Sequence, residues 1–502
     1  MADAERPRSD VVPIALIVLL GLAARAWLAW STPLIGTDSA LFLWNAEEWD
    51  AEGWRAAIRF SKHPLYPFLI WLSGGICGGY ERAGLAVSVV LGALQVVPIF
   101  LLGRRLAGRG AGIAAGVLLA LHPHSCRLGG DVMTEGAYYL FLTSALWFGY
   151  VAGADRKWGA AILAGVFAGL AYLTRPEGAL VAGMAGAWIV GSGLRAWRGM
   201  LLRGALLTLA FAVVIFPYLL GIRVVAGKWL LTKKGADVQL ATQSIPGTEI
   251  PTDEKKQLSR FERYAREHGW WSAIAREMGR KTTTLFKLYL LPLALALVLA
   301  RVSRPWSDRS LSACLAVATL AWLAFFVWVF RHLLYLSDRY LLTLVVTTLP
   351  WMGAGSAALL AWMARRFPAG GRPAAIALVV LFLGGTLVET LKPQRRDQMG
   401  LREAGEWIRS QGGGRDVGVL SANDKTAYYS GGRLLFWPQG PFAYIREKAL
   451  PHVRYIAATE EEALAQTPDF PLAGVPGELE RVWASDDHGK GPVVIWKVVD
   501  QR

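Results

Sequence analysis

The stretch VVPIALIVLLGLAARAWLAWSTPLIGTDSALFLWNAEEW, residues 11–49, opens with a mostly apolar run that ends at Trp30. An α-helix needs about 20 such residues to cross the hydrocarbon core of a bilayer. A carboxylate, Asp38, lies just beyond this run, followed by a segment rich in Trp and acidic residues. The order predicts a membrane-spanning helix and then a loop at the membrane surface. In that loop Asp38 is either a catalytic group, a helix cap or a plain loop charge.

The composition of the whole chain agrees with a membrane protein. Of its 502 residues, 54% are hydrophobic and 18% are charged, and the mean hydropathy is +0.35. Soluble domains carry about 25% charged residues. The net charge of +15 is therefore attributed to membrane orientation and affinity for anionic lipid, and not to nucleic acid. The three Cys residues, Cys77, Cys126 and Cys314, are too far apart in sequence to indicate a metal or redox motif.

Apolar segments recur along the first 390 residues. We predict about eleven membrane spans, at residues 11–30, 83–102, 111–121, 136–152, 159–173, 178–192, 204–222, 284–300, 311–330, 341–363 and 374–390. The segments 111–121 and 159–173 are short, so they must extend into their flanks or be partly re-entrant. The first span runs on without a small-residue cleavage site, which predicts that it stays as an anchor.

The basic residues of the short loops predict the orientation. With the N-terminus in the cytoplasm, the short inner loops hold fourteen Arg and Lys residues and the short outer loops hold four. Cytoplasmic loops carry such an excess. We therefore predict an inner N-terminus and an outer C-terminus, with the long loops 31–82 and 223–283 on the outer face. The chain is predicted to cross the membrane several times.

The tail after residue 390 changes character. LREAGEWIRSQ (401–411) and EEEALAQ (460–466) have helical spacing, whereas RDVGVLSA (415–422), VRYIAAT (453–459) and both ends of RVWASDDHGKGPVVIWKVV (481–499) are typical of strands. We predict two domains, a transmembrane domain at 1–390 and a small soluble α/β domain at 391–502 on the outer face.

Three groups of polar residues lie on the predicted outer face. They are GTDSALF with KHPLYPF (62–68), LHPHSCRLGGDVMTEGAYY (121–139) and YLTRPEGAL (172–180). Ionisable residues at membrane depth are costly, so they are functional or paired. Glu135 begins a predicted span, where an acid also suits the helix N-terminus. Arg175 and Glu177 could pair with each other in a tight turn.

These residues carry a family resemblance. GTD after the first span, HPLYPF in the first loop, the pattern P-x-x-x-R-x-x-x-D-x-x-x-E ending at Glu135, LTRPEG, and SDRYLL before a late span follow one another along most of the chain. In order and spacing they resemble the polyprenyl-phosphate-sugar-dependent glycosyltransferases of GT-C fold, in the bacterial protein-mannosyltransferase and aminoarabinose-transferase group. One difference is that Ser39 follows Asp38, where the family often has Asp-Glu.

The resemblance implies a function. The chain would move a sugar from a polyprenyl-phosphate donor to a glycan, lipid or protein acceptor on the outer face of the membrane. The resemblance to bacterial members also implies that this membrane is a bacterial inner (plasma) membrane, which the chain crosses several times. A phosphate leaves as a stable anion, so the reaction needs cations to hold it and one carboxylate to take the acceptor's proton. We expect Asp38 to be that base, with Glu135 as a second catalytic candidate. Expected substrate-binding residues are His63, Arg175, Glu177, Lys233, Lys234, Arg339 and Tyr340, the other basic residues of 223–283 being solvated surface.

The sequence leaves two questions open, whether the protein binds a cofactor and to which functional class it belongs. A divalent metal is possible, because Asp38, His63, His122, His124, Asp131 and Glu135 are hard or borderline ligands on one face. Nothing in the sequence fixes their geometry, so no cofactor is certain. The alternative function is a polytopic transporter or lipid flippase, which should place polar sites near the membrane midplane. A third alternative is a non-catalytic scaffold whose C-terminal domain binds a partner.

Overall fold

The computed structural model describes residues 10–36, 38–59, 62–191, 197–232, 260–302, 308–333, 337–367 and 370–499. The chain divides into two compact units. Unit 1 consists of Met1–Ala29, His63–Leu231 and Lys255–Lys392, and unit 2 of Trp30–Lys62, Thr232–Glu254 and Pro393–Arg502. Unit 2 therefore combines the first loop, which carries Asp38, with the C-terminal tail.

Helices make up unit 1 and the first loop. In chain order they are α1 (Val11–Ser31), α2 (Ser39–Glu52), α3 (Trp54–Arg59), α4 (Leu65–Cys77), α5 (Tyr80–Leu94), α6 (Val96–Ala107), α7 (Arg109–Ala120), α8 (Pro123–Gly129), α9 (Glu135–Ala154), α10 (Trp158–Thr174), α11 (Gly178–Gly191), α12 (Trp197–Ala226), α13 (Arg260–His268), α14 (Trp270–Phe286), α15 (Leu290–Val302), α16 (Arg309–Leu333), α17 (Asp338–Arg366) and α18 (Gly371–Thr390). Helices α2 and α3 belong to unit 2, and the others to unit 1 apart from the last two residues of α1.

Within the described residues, six helical stretches are long and apolar enough to cross a membrane. They are Val11–Ser31, Tyr80–Ala107, Trp197–Ala226, Arg309–His332, Asp338–Arg366 and Gly371–Thr390, and shorter apolar helices lie at Leu65–Cys77, Arg109–Ala120, Trp158–Thr174 and Gly178–Val190. The multi-pass helical architecture expected from the sequence is therefore present. The helix at Leu65–Cys77 has no counterpart among the predicted spans, and the span count and the orientation stay predictions.

Small residues allow the helices of unit 1 to pack closely. A Cβ atom added to Gly112 of α7 would lie 2.8 Å from the Phe100 carbonyl oxygen of α6, and one added to Gly353 of α17 would lie 2.7 Å from the Ala115 side chain of α7. Such approach is typical of membrane helices, where small residues let backbones meet. The Gly and Ala content of α7 thus explains how so short a helix is held between α6 and α17.

An ion-pair network joins three helix ends of unit 1. Arg105 of α6 lies 3.0 Å from Asp308 and 2.9 Å from Asp155. Tyr150 of α9 donates a hydrogen bond to Asp308, and Ser310 donates another at 2.6 Å. Burial raises the pKa of Asp308, but these hydrogen bonds outweigh it and lower the pKa to about 2. The ionised carboxylate of Asp308 therefore stabilises the fold.

Replacing Asp308 with Asn should lower the free energy of unfolding at pH 7 by roughly 1–2 kcal/mol. Because the folded-state pKa is depressed, the stabilisation is full above the ordinary pKa of Asp and is lost as the pH falls toward about 2. Melting temperatures in detergent, measured at pH 7 and at intervals below pH 4, would check this. A gap between wild type and variant that is the same at every pH would contradict it.

Unit 2 contains a mixed sheet flanked by short helices. After α19 (Met399–Ser410) come β1 (Gly418–Ser421), α20 (Asp424–Ser430), β2 (Arg433–Phe436), α21 (Phe442–Lys448), β3 (Tyr455–Thr459), α22 (Glu460–Gln466), β4 (Gly474–Val475), β5 (Leu479–Ala484) and β6 (Val493–Val498). The order of strands in the sheet is β2-β1-β3-β6-β5-β4. Strand β1 pairs in parallel with β2 and β3, and the remaining pairs are antiparallel.

The elements predicted in the tail are confirmed at α19, α22, β1, β3, β5 and β6. Apolar side chains such as Leu420, Ile456 and Trp496 form a buried core within unit 2. Two strands, β2 and β4, were not predicted. Strand β2 has four residues and β4 has two, so both are too short to show a clear alternation of apolar and polar residues.

Candidate active site

Asp38 lies at the start of α2 in a left-handed backbone conformation, with φ 70° and ψ −12°. Residues other than glycine adopt this region rarely, and such strain is common at functional sites. The side chain of Asp38 makes an ion pair with Lys62, with Oδ1 and Nζ 3.1 Å apart, and does not cap α2. Both side chains keep about a quarter of their surface exposed, at 25% and 22%. A carboxylate and an ammonium are therefore held together within reach of solvent.

The segment before Asp38 is fixed by hydrogen bonds within unit 2. The backbone N–H of Ile35 donates to Tyr429 Oη of α20 at 3.1 Å. Arg395 donates to the Leu34 carbonyl at 3.0 Å, and Arg402 donates to the Pro33 carbonyl at 2.7 Å. These contacts restrain the backbone on the N-terminal side of Asp38, which explains how a loop after a span can hold one conformation.

A second polar group lies in unit 1, around Glu135. Glu135 begins α9 and is 1% exposed, and Arg175, in the turn between α10 and α11, is 8% exposed. Arg175 Nη1 donates to Glu135 Oε1 at 2.8 Å, and its Nε lies 3.7 Å from Glu177 Oε2. Burial would lower the pKa of Arg175, but the charges of Glu135 and Glu177 outweigh it and raise the pKa. This turn therefore holds a buried, paired guanidinium.

The start of α17 completes this group. Arg339 Nε lies 3.8 Å from Glu135 Oε1, and Tyr139 of α9 donates a hydrogen bond to the Arg339 carbonyl at 2.6 Å. The Tyr340 ring lies 4.8 Å from the Arg175 guanidinium carbon, and the Tyr138 ring 5.4 Å from it. Arg175 is thus flanked by two aromatic faces, an arrangement that favours a cation. The structure brings together five of the predicted residues, Glu135, Arg175, Glu177, Arg339 and Tyr340.

A narrow crevice lies beside these residues. It is lined by Tyr138, Tyr139, Arg175, Glu177, Trp322, Phe326, Tyr340 and Thr343. Tyr138 is buried, and among the described residues no group makes a hydrogen bond with its hydroxyl. A buried polar atom without a partner costs free energy.

Three further substrate-binding residues were predicted, His63, Lys233 and Lys234. His63 is buried between Tyr172 and Tyr218, with ring centroids 5.2 Å and 5.4 Å away. His63 thus makes ring contacts with two tyrosines of unit 1, and its role in substrate binding stays a prediction. Lys233 and Lys234 lie outside the described residues.

The histidines of the second group have structural contacts. His122 Nδ1 accepts a hydrogen bond from the Ser125 N–H at the start of α8, at 3.3 Å. Burial lowers the pKa of His122 to about 3, and burial together with Arg127 lowers that of His124 to about 4, so both are neutral at pH 7. In the described ranges, no group of three or more His, Cys, Asp and Glu side chains could hold a metal ion. The described residues thus give no support to the possible divalent metal.

Lys62 and Tyr138 were not singled out from the sequence. Lys62 is the first residue of the KHPLYPF motif. Its place in that motif is the feature of the sequence that could have indicated it. Its ion pair joins residues 24 positions apart, which sequence spacing cannot reveal. Tyr138 lies one turn after Glu135 on α9, and helical spacing places residues three apart on one face. That periodicity could have indicated it.

The chain is similar to a known protein family and to several solved structures. Residues 61–221 match the family described as dolichyl-phosphate-mannose-protein mannosyltransferase. The solved structure of ArnT from Cupriavidus metallidurans bound to undecaprenyl phosphate is similar with a TM-score of 0.61 at 13% identity, over 98% of this chain and 99% of that one. The archaeal oligosaccharyltransferase AglB from Archaeoglobus fulgidus, in complex with an inhibitory peptide and a dolichol-phosphate, gives 0.61 at 12% identity, over 92% and 71%.

The chain has the GT-C fold. The mycobacterial arabinofuranosyltransferase AftD shares it, with a TM-score of 0.53 at 14% identity over 97% of this chain and 41% of that one. No curated protein matches the chain. The predicted fold and the predicted resemblance are confirmed. AglB, AftD and the matched family are sugar transferases by name, which supports the predicted glycosyltransferase over the transporter or flippase.

Proposed function

We propose that this GT-C protein is an integral membrane glycosyltransferase that moves a sugar from a polyprenyl-phosphate donor to an acceptor hydroxyl or amine. The observation that carries the proposal is the Asp38–Lys62 pair, which follows the first apolar helix and stays accessible. A base and a cation held side by side are the two groups that displacement of a lipid phosphate needs. The resemblance to ArnT with bound undecaprenyl phosphate supports a polyprenyl-phosphate donor.

In the proposed reaction Asp38 is the general base. Its carboxylate hydrogen-bonds the acceptor and accepts the proton as the acceptor oxygen or nitrogen attacks the anomeric carbon of the sugar. The bond between that carbon and the phosphate oxygen breaks, and polyprenyl phosphate leaves as an anion. Lys62 stabilises this anion by a charge-assisted hydrogen bond. Because a phosphate leaves without protonation, no second carboxylic acid is required, in contrast to glycoside hydrolysis.

We assign substrate binding to the group around Arg175. Tyr138 and Tyr340 offer aromatic faces beside a guanidinium, and the Tyr138 hydroxyl can hydrogen-bond a sugar hydroxyl. Arg339 is partly exposed at the start of α17, where a helix N-terminus also favours an anion. The buried pairing of Glu135 with Arg175 favours a positioning role for this carboxylate, because its charge is already balanced inside the protein.

The sidedness follows from the charge distribution. The excess of Arg and Lys in the predicted inner loops supports an N-terminus in the cytoplasm. Asp38 would then lie on the outer face of a bacterial inner membrane, together with the soluble part of unit 2. The acceptor would be a glycan, a lipid or a protein that is present on that face.

A transfer assay tests the proposed function. The purified protein, in lipid nanodiscs, would be given polyprenyl phosphates that carry radiolabelled mannose, glucose, arabinose or aminoarabinose, with membrane glycolipid, peptidoglycan fragments or periplasmic protein as acceptor. Acceptor-dependent release of polyprenyl phosphate from at least one donor is expected. Movement of intact donor across a liposome membrane with no release would instead support a flippase and overturn the proposal.

A further inference from the structure

Two side chains of the tail act together on the segment before Asp38. Arg402 of α19 donates to the Pro33 carbonyl oxygen at 2.7 Å. The Tyr429 hydroxyl of α20 accepts from the Ile35 N–H at 3.1 Å. The guanidinium carbon of Arg402 lies 5.0 Å from the Tyr429 ring centroid, so each side chain also restrains the other. We call this pair of side chains, Arg402 and Tyr429, the tail clamp.

The hydrogen bond between Tyr429 and Ile35 lies in the interior of unit 2. Ile35 is 3% exposed and Tyr429 is 5% exposed. A buried backbone N–H needs an acceptor, because leaving it unpaired costs free energy. The phenolic oxygen of Tyr429 supplies that acceptor from a part of the chain that lies 394 positions away. Removal of this one oxygen should therefore loosen the backbone at Ile35.

The backbone of Asp38 depends on restraint of this kind. Its φ of 70° is in the left-handed region, which a residue other than glycine keeps only where the surrounding structure enforces it. Ile35 lies three positions before Asp38, and the Ser39 N–H donates to the Gly36 carbonyl at 3.2 Å. The tail clamp thus holds the chain immediately before the turn in which Asp38 lies.

The tail also contacts the helix that follows Asp38. Trp44 of α2 packs edge-on against Tyr428 of α20, with ring centroids 6.3 Å apart. Arg415, before β1, lies 3.7 Å from the Glu47 carboxylate of α2. The chain is therefore held by the tail on both sides of Asp38, which favours a single placement of this carboxylate.

We propose that Tyr429 and Arg402 are positioning residues for the catalytic base, so that the tail takes part in catalysis through the backbone of residues 33–35. The conformation that they enforce places the Asp38 carboxylate 3.1 Å from the Lys62 ammonium. A displacement of about 1 Å in a catalytic group can lower a rate by about 100-fold. The inference rests on the proposed function for its catalytic meaning, but the tail clamp itself can be tested without an activity assay.

Hydrogen–deuterium exchange, read by mass spectrometry on the full-length protein, tests the tail clamp. In Tyr429→Phe the Ile35 N–H loses its acceptor, so exchange in peptides covering residues 34–40 should be faster by about tenfold or more. Peptides from the paired strands β3 and β6 should keep wild-type exchange. Tyr444→Phe, on α21 of the tail, is the matched control and should change neither. Unchanged exchange at 34–40 in a folded Tyr429→Phe protein would overturn the inference.

A double-mutant cycle tests whether the tail clamp acts through Asp38. Tyr429→Phe should lower kcat by about tenfold and leave the KM for the donor within about twofold of wild type. When Asp38→Asn is already present, Tyr429→Phe should cause no further loss, because the base that it positions is gone. Losses that multiply in the double variant would indicate a merely structural role and overturn the positioning role.

Arg402 gives an independent set of variants. Arg402→Ala should behave like Tyr429→Phe in both measurements, whereas Arg402→Lys keeps a donor for the Pro33 carbonyl and should restore most of the rate. Arg433→Ala, which removes an exposed arginine from β2, should behave like wild type. Faster exchange at 34–40 in Tyr429→Phe, with no sugar transfer by the wild type, would uphold the tail clamp and overturn only the proposed function.

Discussion

Asp38→Asn is expected to lower kcat/KM for sugar transfer by about 10²- to 10⁴-fold, the range that a positioned general base contributes. Asn keeps the shape of the side chain but cannot accept a proton from the acceptor. Because the amide can still hydrogen-bond Lys62, the fold of unit 2 should survive, and the loss should fall mainly on kcat. Initial rates of polyprenyl phosphate release, measured at several donor concentrations, would separate kcat from KM.

Two further variants test whether the expected loss of activity is specific to the Asp38–Lys62 pair. Asp50→Asn, at an exposed position on the same helix α2, removes a charge of the same kind and should keep wild-type activity. Lys62→Ala removes the proposed contact with the leaving phosphate and should lower kcat by about tenfold or more, the equivalent of one charge-assisted hydrogen bond. Full activity of Asp38→Asn in a folded protein would remove Asp38 from the role of base.

Much of the fold follows from local patterns in the sequence. Long apolar runs predicted α1 and α17, and period-2 and helical spacing predicted β3 and α22, because burial of a face leaves a periodic trace. Helix α4 was missed since it lies in a loop whose polar motif, KHPLYPF, was interpreted for its chemistry. The partnership of residues 30–62 with the tail in unit 2 could not be predicted, because it depends on contacts between segments about 360 residues apart, such as that of Arg395 with Leu34.

For the candidate site, the sequence indicated several of the residues but not the contacts between them. The ionisable residues Glu135, Arg175 and Arg339 could be singled out from the sequence, because charges near membrane depth are costly and are therefore usually functional or paired. Their mutual pairing was not predictable. The catalytic role of Glu135 stays a prediction, and its pairing with Arg175 supports the proposed positioning role. Lys62 looked like an ordinary surface charge, and only the tertiary fold places it beside Asp38.

Arg175→Ala is expected to lower the free energy of unfolding by about 3–5 kcal/mol, because it leaves Glu135 buried without its cation. Glu177, on the other side of the guanidinium, loses a partner as well. Thermal or denaturant unfolding in detergent would measure the loss. Arg198→Ala, which removes an exposed arginine from the same unit, should change stability by no more than about 0.5 kcal/mol.

A double substitution distinguishes the contribution of the Glu135–Arg175 ion pair to stability from the role of Arg175 in sugar transfer. Glu135→Gln with Arg175→Met removes both charges, and apolar or neutral groups of similar size often replace a buried ion pair at little cost. The double variant should therefore regain much of the stability that Arg175→Ala loses, while sugar transfer stays low because the guanidinium between Tyr138 and Tyr340 is gone. Equal stability of Arg175→Ala and wild type would contradict the buried pair. Recovery of transfer in the double variant would instead show that Arg175 serves the fold and not the substrate.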